Sequence, residues 1–197
     1  MRYFVLGRHA ESVLNLERRV NGDPTLDVPL TERGEEQARA LGRRLAELPF
    51  DVCIHTRFPR TRLTAEWAVA GRNVPLAVEP LLDDIDLGEL EGETIERYRA
   101  WKHSHQRDVA FPGGESLDDA ARRFAAGLRA LLGGRYHHVL VVTHEIPVRY
   151  ALNGLAGSDS LDGPAHEIAN AVPYYFDEDM LAQAAAGIER LVGKVQV

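Results

Sequence analysis

Apolar residues in this chain alternate between short unbroken runs and longer stretches with helical spacing. Tyr3-Phe4-Val5-Leu6 and Val139-Leu140-Val141-Val142 are continuous runs of strand length, rich in aromatic and β-branched residues, which is the pattern of strands covered on both faces. Each predicts a strand, as do Asp51–Thr56, Leu76–Glu79 and Val172–Phe176. Between them, Ala38, Leu41, Leu45 and Leu48 follow the N-cap residue Thr31 at helical spacing, and Pro49 is expected to stop that helix. Helices are also predicted over Arg60–Ala70, where Pro59 suits the first turn, and over Thr94–Gln106, with Ile95, Tyr98 and Trp101 on one face. A further helix runs from Ser116-Leu117-Asp118-Asp119, which has the form of a capping box, to Leu132, where Gly133-Gly134 ends it. Pro147 is expected to open another through Leu155, and Leu16–Val20 to form a short one. Leu181–Val192 fits either a last helix or a short strand. The βαβα order predicts an α/β fold, a three-layer α/β/α sandwich around a mostly parallel central sheet.

Length and composition narrow the function. The 197 residues suit a single domain spanning 1–197, and an apolar fraction of 45% with a charged fraction of 27% is ordinary for a globular protein. A net charge of −7 argues against a nucleic-acid or anionic-membrane binder. The single Cys53 excludes an internal disulfide and a cysteine metal cage, and its apolar strand predicts a buried structural thiol. There is no apolar run of membrane-spanning length and no signal-peptide pattern before the first strand, so a cytoplasmic address is expected.

The candidate chemistry lies where strands end. The first run breaks at Gly7 into Arg8-His9, and Val139–Thr143 ends directly in His144, so two strands each release a histidine at the carboxyl edge of the sheet, where open α/β sheets bind ligands. Arg60 falls in the first turn of its helix, beside free backbone N–H groups and the positive helix end. A guanidinium grips phosphate oxygens with paired charge-assisted hydrogen bonds, and a neutral imidazole can attack phosphorus. On an acidic chain such a cluster focuses positive potential into one cleft.

Six blocks occur in order: Arg8-His9-Ala10-Glu11, Asp27-Val28-Pro29-Leu30-Thr31 continuing to Gln37-Ala38, Thr56–Ala65, Glu91-Gly92, Gly114-Glu115-Ser116 and Thr143-His144. In this order the chain resembles the histidine phosphatase superfamily, the phosphoglycerate-mutase-like enzymes of its branch 1. The resemblance implies a phosphoglycerate-mutase-like fold and a metal-independent phosphomonoester hydrolase that needs no cofactor. It implies that His9 is the nucleophile, that Arg8, Arg60, Asn15 and His144 hold phosphate oxygens, and that Asp84, four residues before Gly88, is the proton donor. Ala10 replaces the family's usual glycine, Thr56 a serine, Phe58 a leucine and Thr61 an alanine, and Glu145 follows His144 where a small residue is common.

Several assignments have competitors. Asn15 also reads as a cap or turn residue. Glu145 rivals Asp84, because a more distant branch of the superfamily carries its proton donor just after the second histidine; it is also a candidate substrate contact or simply a carboxylate at a helix N-terminus. Glu115 is a pocket-rim candidate or a turn carboxylate before a helix. His103 and His105 are two apart, off a common helix face, and read as surface residues. The expected partner is a small phosphomonoester, with specificity residues in Thr94–Pro112 and Ala156–Asn170. Rival functions are a phosphoglycerate-mutase-type phosphotransferase, against which the short Gly92–Pro112 interval argues, a non-catalytic phosphate- or partner-binding module, and a metal hydrolase, for which no ligand spacing is present.

Overall fold

In the computed structural model, which describes residues 2–192, strands Tyr3–Arg8 (β1), Val52–His55 (β2), Leu76–Val78 (β3), His138–Thr143 (β4) and Pro173–Asp177 (β5) form one sheet in the order β3-β2-β4-β1-β5. The first four strands in that order are parallel; β5 closes one edge antiparallel to β1. The helices are Val13–Leu16 (α1), Glu32–Arg44 (α2), Pro59–Ala68 (α3), Ile95–Ser104 (α4), Leu117–Gly133 (α5), Glu145–Leu155 (α6) and Glu178–Leu191 (α7).

Strand alternation divides the core into two layers. Phe4, Leu6, Val139, Val141 and Phe176 face one side, where α5, α6 and α7 cover them through residues such as Phe124, Tyr150 and Ile188. Val5, Cys53, Leu140 and Val142 face the other, against α2 and α3 through Ala38, Leu41, Ala65 and Ala68. Because both faces are covered, the central strands need apolar residues at every position, which is why β1 and β4 read as unbroken runs. Cys53 is fully buried and burial pushes its thiol up to about 12, as a structural cysteine requires.

Register positions the site. Arg8 pairs with Thr143 across β1 and β4, so the two strands end level, and the His9 amide donates to the Thr143 carbonyl at 2.8 Å. Two close backbone approaches then fold the neighbouring loops over that edge. A Cβ on Gly34 would lie 2.0 Å from the Glu11 carbonyl oxygen, and one on Gly22 would lie 2.1 Å from that of Ile85. Only glycine lets α2 abut the His9 loop and lets the 21–23 segment cross the Asp84 loop.

Several local expectations change. The short helix comes earlier than Leu16–Val20, at Val13–Leu16, because Ser12 and Asn15 form a reciprocal capping box. Helix α2 ends at Arg44, before Pro49, while Leu45 still packs into the core from the following turn. Helix α6 starts at Glu145 with His144 as N-cap residue, so Pro147 lies inside the first turn, where its missing N–H costs nothing. Ser116 accepts from the Asp119 amide as expected, but its hydroxyl donates to the Asp119 carboxylate, in place of the reciprocal backbone bond. Leu181–Leu191 belongs to a helix, capped by Asp177 and packed on α5 and α6, and Val192 is its C-cap residue. No helix among the described residues is long and apolar enough to cross a membrane.

Candidate active site

A cleft of about 370 Å³ opens at the carboxyl edge of the sheet, with Arg8, His9, Asn15, Arg60, Asp84 and Glu145 among the residues that line it. Six of the seven residues named in the sequence as catalytic or substrate-binding candidates therefore line one cleft. The seventh, His144, is fully buried and lies beneath it, edge-on to Phe58 at 4.6 Å and to His9 at 5.4 Å.

Hydrogen bonding assigns the state of His9. Its Nδ1 lies 2.7 Å from the Ala10 carbonyl oxygen, which can only accept, so Nδ1 carries the proton. Its Nε2 receives a hydrogen bond from Arg60 Nε at 3.0 Å, so Nε2 presents a lone pair. Burial, then the Arg60 and Arg8 guanidiniums, hold the imidazole well below the ordinary histidine range. A second brace, from Asn170 Nδ2 to the His9 carbonyl at 2.7 Å, fixes the backbone.

Arg60 organises the floor. Its Nη2 donates to Asp84 Oδ2 at 2.9 Å, to the Asn21 carbonyl at 3.0 Å and toward His144 Nδ1 at 3.1 Å, while Nη1 donates to Asn21 Oδ1. The guanidinium also stacks over the Phe58 ring at 4.3 Å. Asp84 Oδ2 is 3.4 Å from His144 Nδ1, and a quarter of the Asp84 side chain is open to the cleft. Burial raises the Asp84 carboxyl above its ordinary range, against the pull of Arg60. Burial is likewise the main reason that His144 sits well below the ordinary histidine value, with Arg60 next.

Thr56 gives His144 a choice of tautomer. Its hydroxyl is 2.9 Å from His144 Nε2 and 2.8 Å from the Thr61 hydroxyl, which itself donates to the Phe58 carbonyl at 2.8 Å. With Arg60 donating to Nδ1, Nε2–H donates to Thr56; if Nδ1 carries the proton instead, the same hydroxyl donates back to Nε2. A hydroxyl does this whether from serine or threonine, which explains why Thr56 is compatible with the site.

Other assignments separate. Asn15 takes part in the capping box of α1 and also lines the cleft. Glu145 pairs with Arg8 at 3.0 Å and with Arg149 across one turn of α6. Arg57 lies outside the cleft on Asp83, half exposed. Glu115 pairs with Arg123 and accepts from the Asp86 amide, in a separate cavity behind Asp84. His103 is exposed, and His105, also exposed, stacks on Trp101 at 4.2 Å. Tyr98 and Lys102 line the cleft from within the Thr94–Pro112 segment expected to carry specificity, though neither was singled out individually; sequence reasoning missed Asn21, in a polar link with no periodic signal, and Arg149, which looks like an ordinary helix residue.

The family model described as histidine phosphatase superfamily (branch 1) matches residues 4–177. The chain is 34% identical to "Phosphoserine phosphatase 1" of Hydrogenobacter thermophilus, over 79% of this chain and 76% of that protein. It is 32% identical to "2,3-bisphosphoglycerate-dependent phosphoglycerate mutase 2" of Gloeobacter violaceus, over 90% and 86%. Among solved structures, Bacillus stearothermophilus YhfR superposes with a TM-score of 0.78 at 27% identity, covering 89% of this chain and 90% of that one.

Proposed function

The chain belongs to branch 1 of the histidine phosphatase superfamily, and from that membership we propose that it is a metal-independent phosphomonoester hydrolase working through a phosphohistidine on His9. The observation that carries the reading is the His9 environment: a neutral imidazole, proton held on Nδ1 by Ala10, with its Nε2 lone pair facing Arg60 in the cleft floor. Relatives named as a phosphatase and as a mutase share this family; the compact 92–112 segment, with one short helix, favours hydrolysis over retention of the phosphoryl group.

An arriving phosphate competes for Arg60. Its oxygens draw the guanidinium from His9 Nε2, which frees the lone pair for in-line attack. Arg8 and Arg60 then meet the oxygens, joined by Asn15 from the cleft wall, and His144 donates from Nδ1 once Thr56 has taken the other ring nitrogen as acceptor. The P–N bond forms as the P–O ester bond breaks, and the leaving oxygen takes the proton of Asp84, whose raised pKa keeps that proton available. Water next attacks phosphorus and gives a proton to the Asp84 carboxylate, while the P–N electron pair returns to Nε2. Phosphate leaves and Arg60 resumes its contact with His9.

The test is covalent labelling. A phosphoryl donor should leave an acid-labile, alkali-stable label on the parent protein, and His9→Ala should remove both label and turnover while circular dichroism stays native. Labelling that persists in His9→Ala, or a label stable to acid, refutes the assignment.

A further inference from the structure

Resting on the phosphomonoester reading, we propose that Glu145 is a positioning residue for product release: its carboxylate holds Arg8 in the free protein, yields it to an arriving phosphate, and retakes it as phosphate leaves. A small residue is common at this place in the family, so the carboxylate is a feature of this chain.

Arg8 has little capacity to spare while Glu145 is on it. Its Nη1 has two N–H groups and two neighbours, the Ile168 carbonyl at 2.8 Å and Glu145 Oε2 at 3.0 Å. Its Nε is buried with no partner among the described residues. A paired grip on phosphate cannot use Nε from the cleft, so it must run through Nη1 beside Nη2, where Glu145 already sits. Arg60, the other arginine of the cradle, is likewise paired, with Asp84 at 2.9 Å. Phosphate therefore gains Arg8 by exchange with a group the protein supplies.

The exchange reverses readily because Glu145 has a second hold. Its other oxygen pairs with Arg149, one turn further along α6, so the side chain stays beside Arg8 after giving it up. Arg149 in turn has Asp162 at 3.5 Å; Arg107 binds Asp162 at 2.5 Å and Asp118 at 3.1 Å, and Lys102 lies 3.6 Å from Asp162. Arg149 thus stays anchored on both sides whether or not Glu145 keeps Arg8. The remaining charged groups that line the cleft, Arg19, Arg99, His166 and Glu167, pair with neither Arg8 nor Glu145 among the described residues. Bound phosphate and the waiting carboxylate then flank one guanidinium, and their like charges oppose each other in a cleft that water only partly screens. That opposition suits a hydrolase, which must shed phosphate in every cycle.

Calorimetric titration with inorganic phosphate tests the exchange without turnover. Glu145→Gln keeps the shape and removes the charge, and should bind phosphate at least about tenfold more tightly than the parent, the scale of one charge-assisted contact. Glu145→Ala, which removes the side chain as well, should shift affinity in the same direction, with circular dichroism confirming the fold of both. The sign separates this role from a purely structural one, because a disturbed cradle binds phosphate more weakly. With p-nitrophenyl phosphate as substrate, the inhibition constant for phosphate should fall in step, and kcat/KM should rise more than kcat. Unchanged or weaker phosphate affinity in either folded variant, or no phosphate binding to any of the three proteins, overturns the proposal. Tighter binding in variants of a chain that hydrolyses no ester refutes the hydrolase reading and keeps the exchange; turnover with unchanged phosphate affinity does the reverse.

Discussion

Replacing Asp84 by asparagine separates the proton donor from the phosphate cradle. The carboxylate touches Arg60 Nη2 at 2.9 Å and lies 3.4 Å from His144 Nδ1, and an amide oxygen can keep the first contact. What the substitution removes is the transferable proton, and general acid–base catalysis of this kind contributes about 10²–10⁴-fold, or roughly 3–5.5 kcal/mol of barrier. An alkyl phosphate needs that proton on its leaving oxygen. p-Nitrophenolate does not, so kcat/KM for p-nitrophenyl phosphate, which reports only the steps through P–O cleavage, should fall by less than about tenfold. For a simple alkyl phosphate it should fall by about 10²–10⁴. The second half-reaction still needs a base, so the variant should release p-nitrophenol in a burst followed by a slow steady state. In the parent, the alkaline limb for the alkyl ester marks loss of the Asp84 proton and lies above the ordinary carboxylate range because burial raises that group; it should vanish in Asp84→Asn. Initial rates by phosphate release and stopped-flow absorbance supply all these readings. Equal losses for both leaving groups, or a leaving-group dependence that appears in Glu145→Gln instead, would refute the reasoning and move the proton donor.

Arg60→Ala should lower kcat/KM at least about a hundredfold, the scale for losing one preorganised donor, whereas Arg57→Ala should change it little because Arg57 points away onto Asp83; steady-state kinetics on both variants check the register of this block. His9 and His144 stay neutral in the fold well below the ordinary histidine range, mainly through burial, while the unfolded chain protonates them near ~6.5. Stability should thus fall as pH drops below that value, by up to about 1.4 kcal/mol per pH unit for each. Asp84, with its folded pKa raised, opposes this by holding its proton in the fold at pH values where the unfolded chain has lost it; urea titrations at pH 7.5, 6.5 and 5.5 measure the net slope, and a stability that rises on acidification contradicts the neutral pair. Treatment with a chelator should leave phosphate release unchanged, because Arg8, Arg60 and the first turns of α3 and α6 supply the positive charge; loss of activity restored by added divalent cation would favour the metal hydrolase.

Much of the fold was legible in the chain because local rules and tertiary demands agreed. The unbroken runs of β1 and β4 announced strands covered on both faces, and the βαβα order implied their parallel pairing. Ambiguity remained where those rules were silent. Leu181–Val192 has a pattern that suits a strand or a helix, and only packing against α5 and α6 decides it. Helix limits shifted where caps outweighed periodicity, at Ser12 and at His144. The antiparallel placing of β5 depends on the path of the chain after α6, which no local signal encodes.

For the site, residue types and strand ends alone pointed to His9, Arg8, Arg60 and His144, since a cationic cluster at a sheet edge has few structural uses. Asp84 came from the resemblance of the chain to a family, and the contacts of the two carboxylates support proposing it, ahead of Glu145, as the proton donor. Asp84 faces Arg60 and His144, whereas Glu145 is held between Arg8 and Arg149. The protonation state of His9, the switchable Thr56 bond to His144 and the pairing of Arg8 with Glu145 were decided only by tertiary structure. Each depends on burial or on a partner far away in sequence: Ala10 is adjacent to His9, but Arg60 is 51 residues from it and Thr56 is 88 from His144. A sequence specifies which groups are present and the period at which they recur; desolvation and hydrogen-bond geometry exist only once the chain has closed around them.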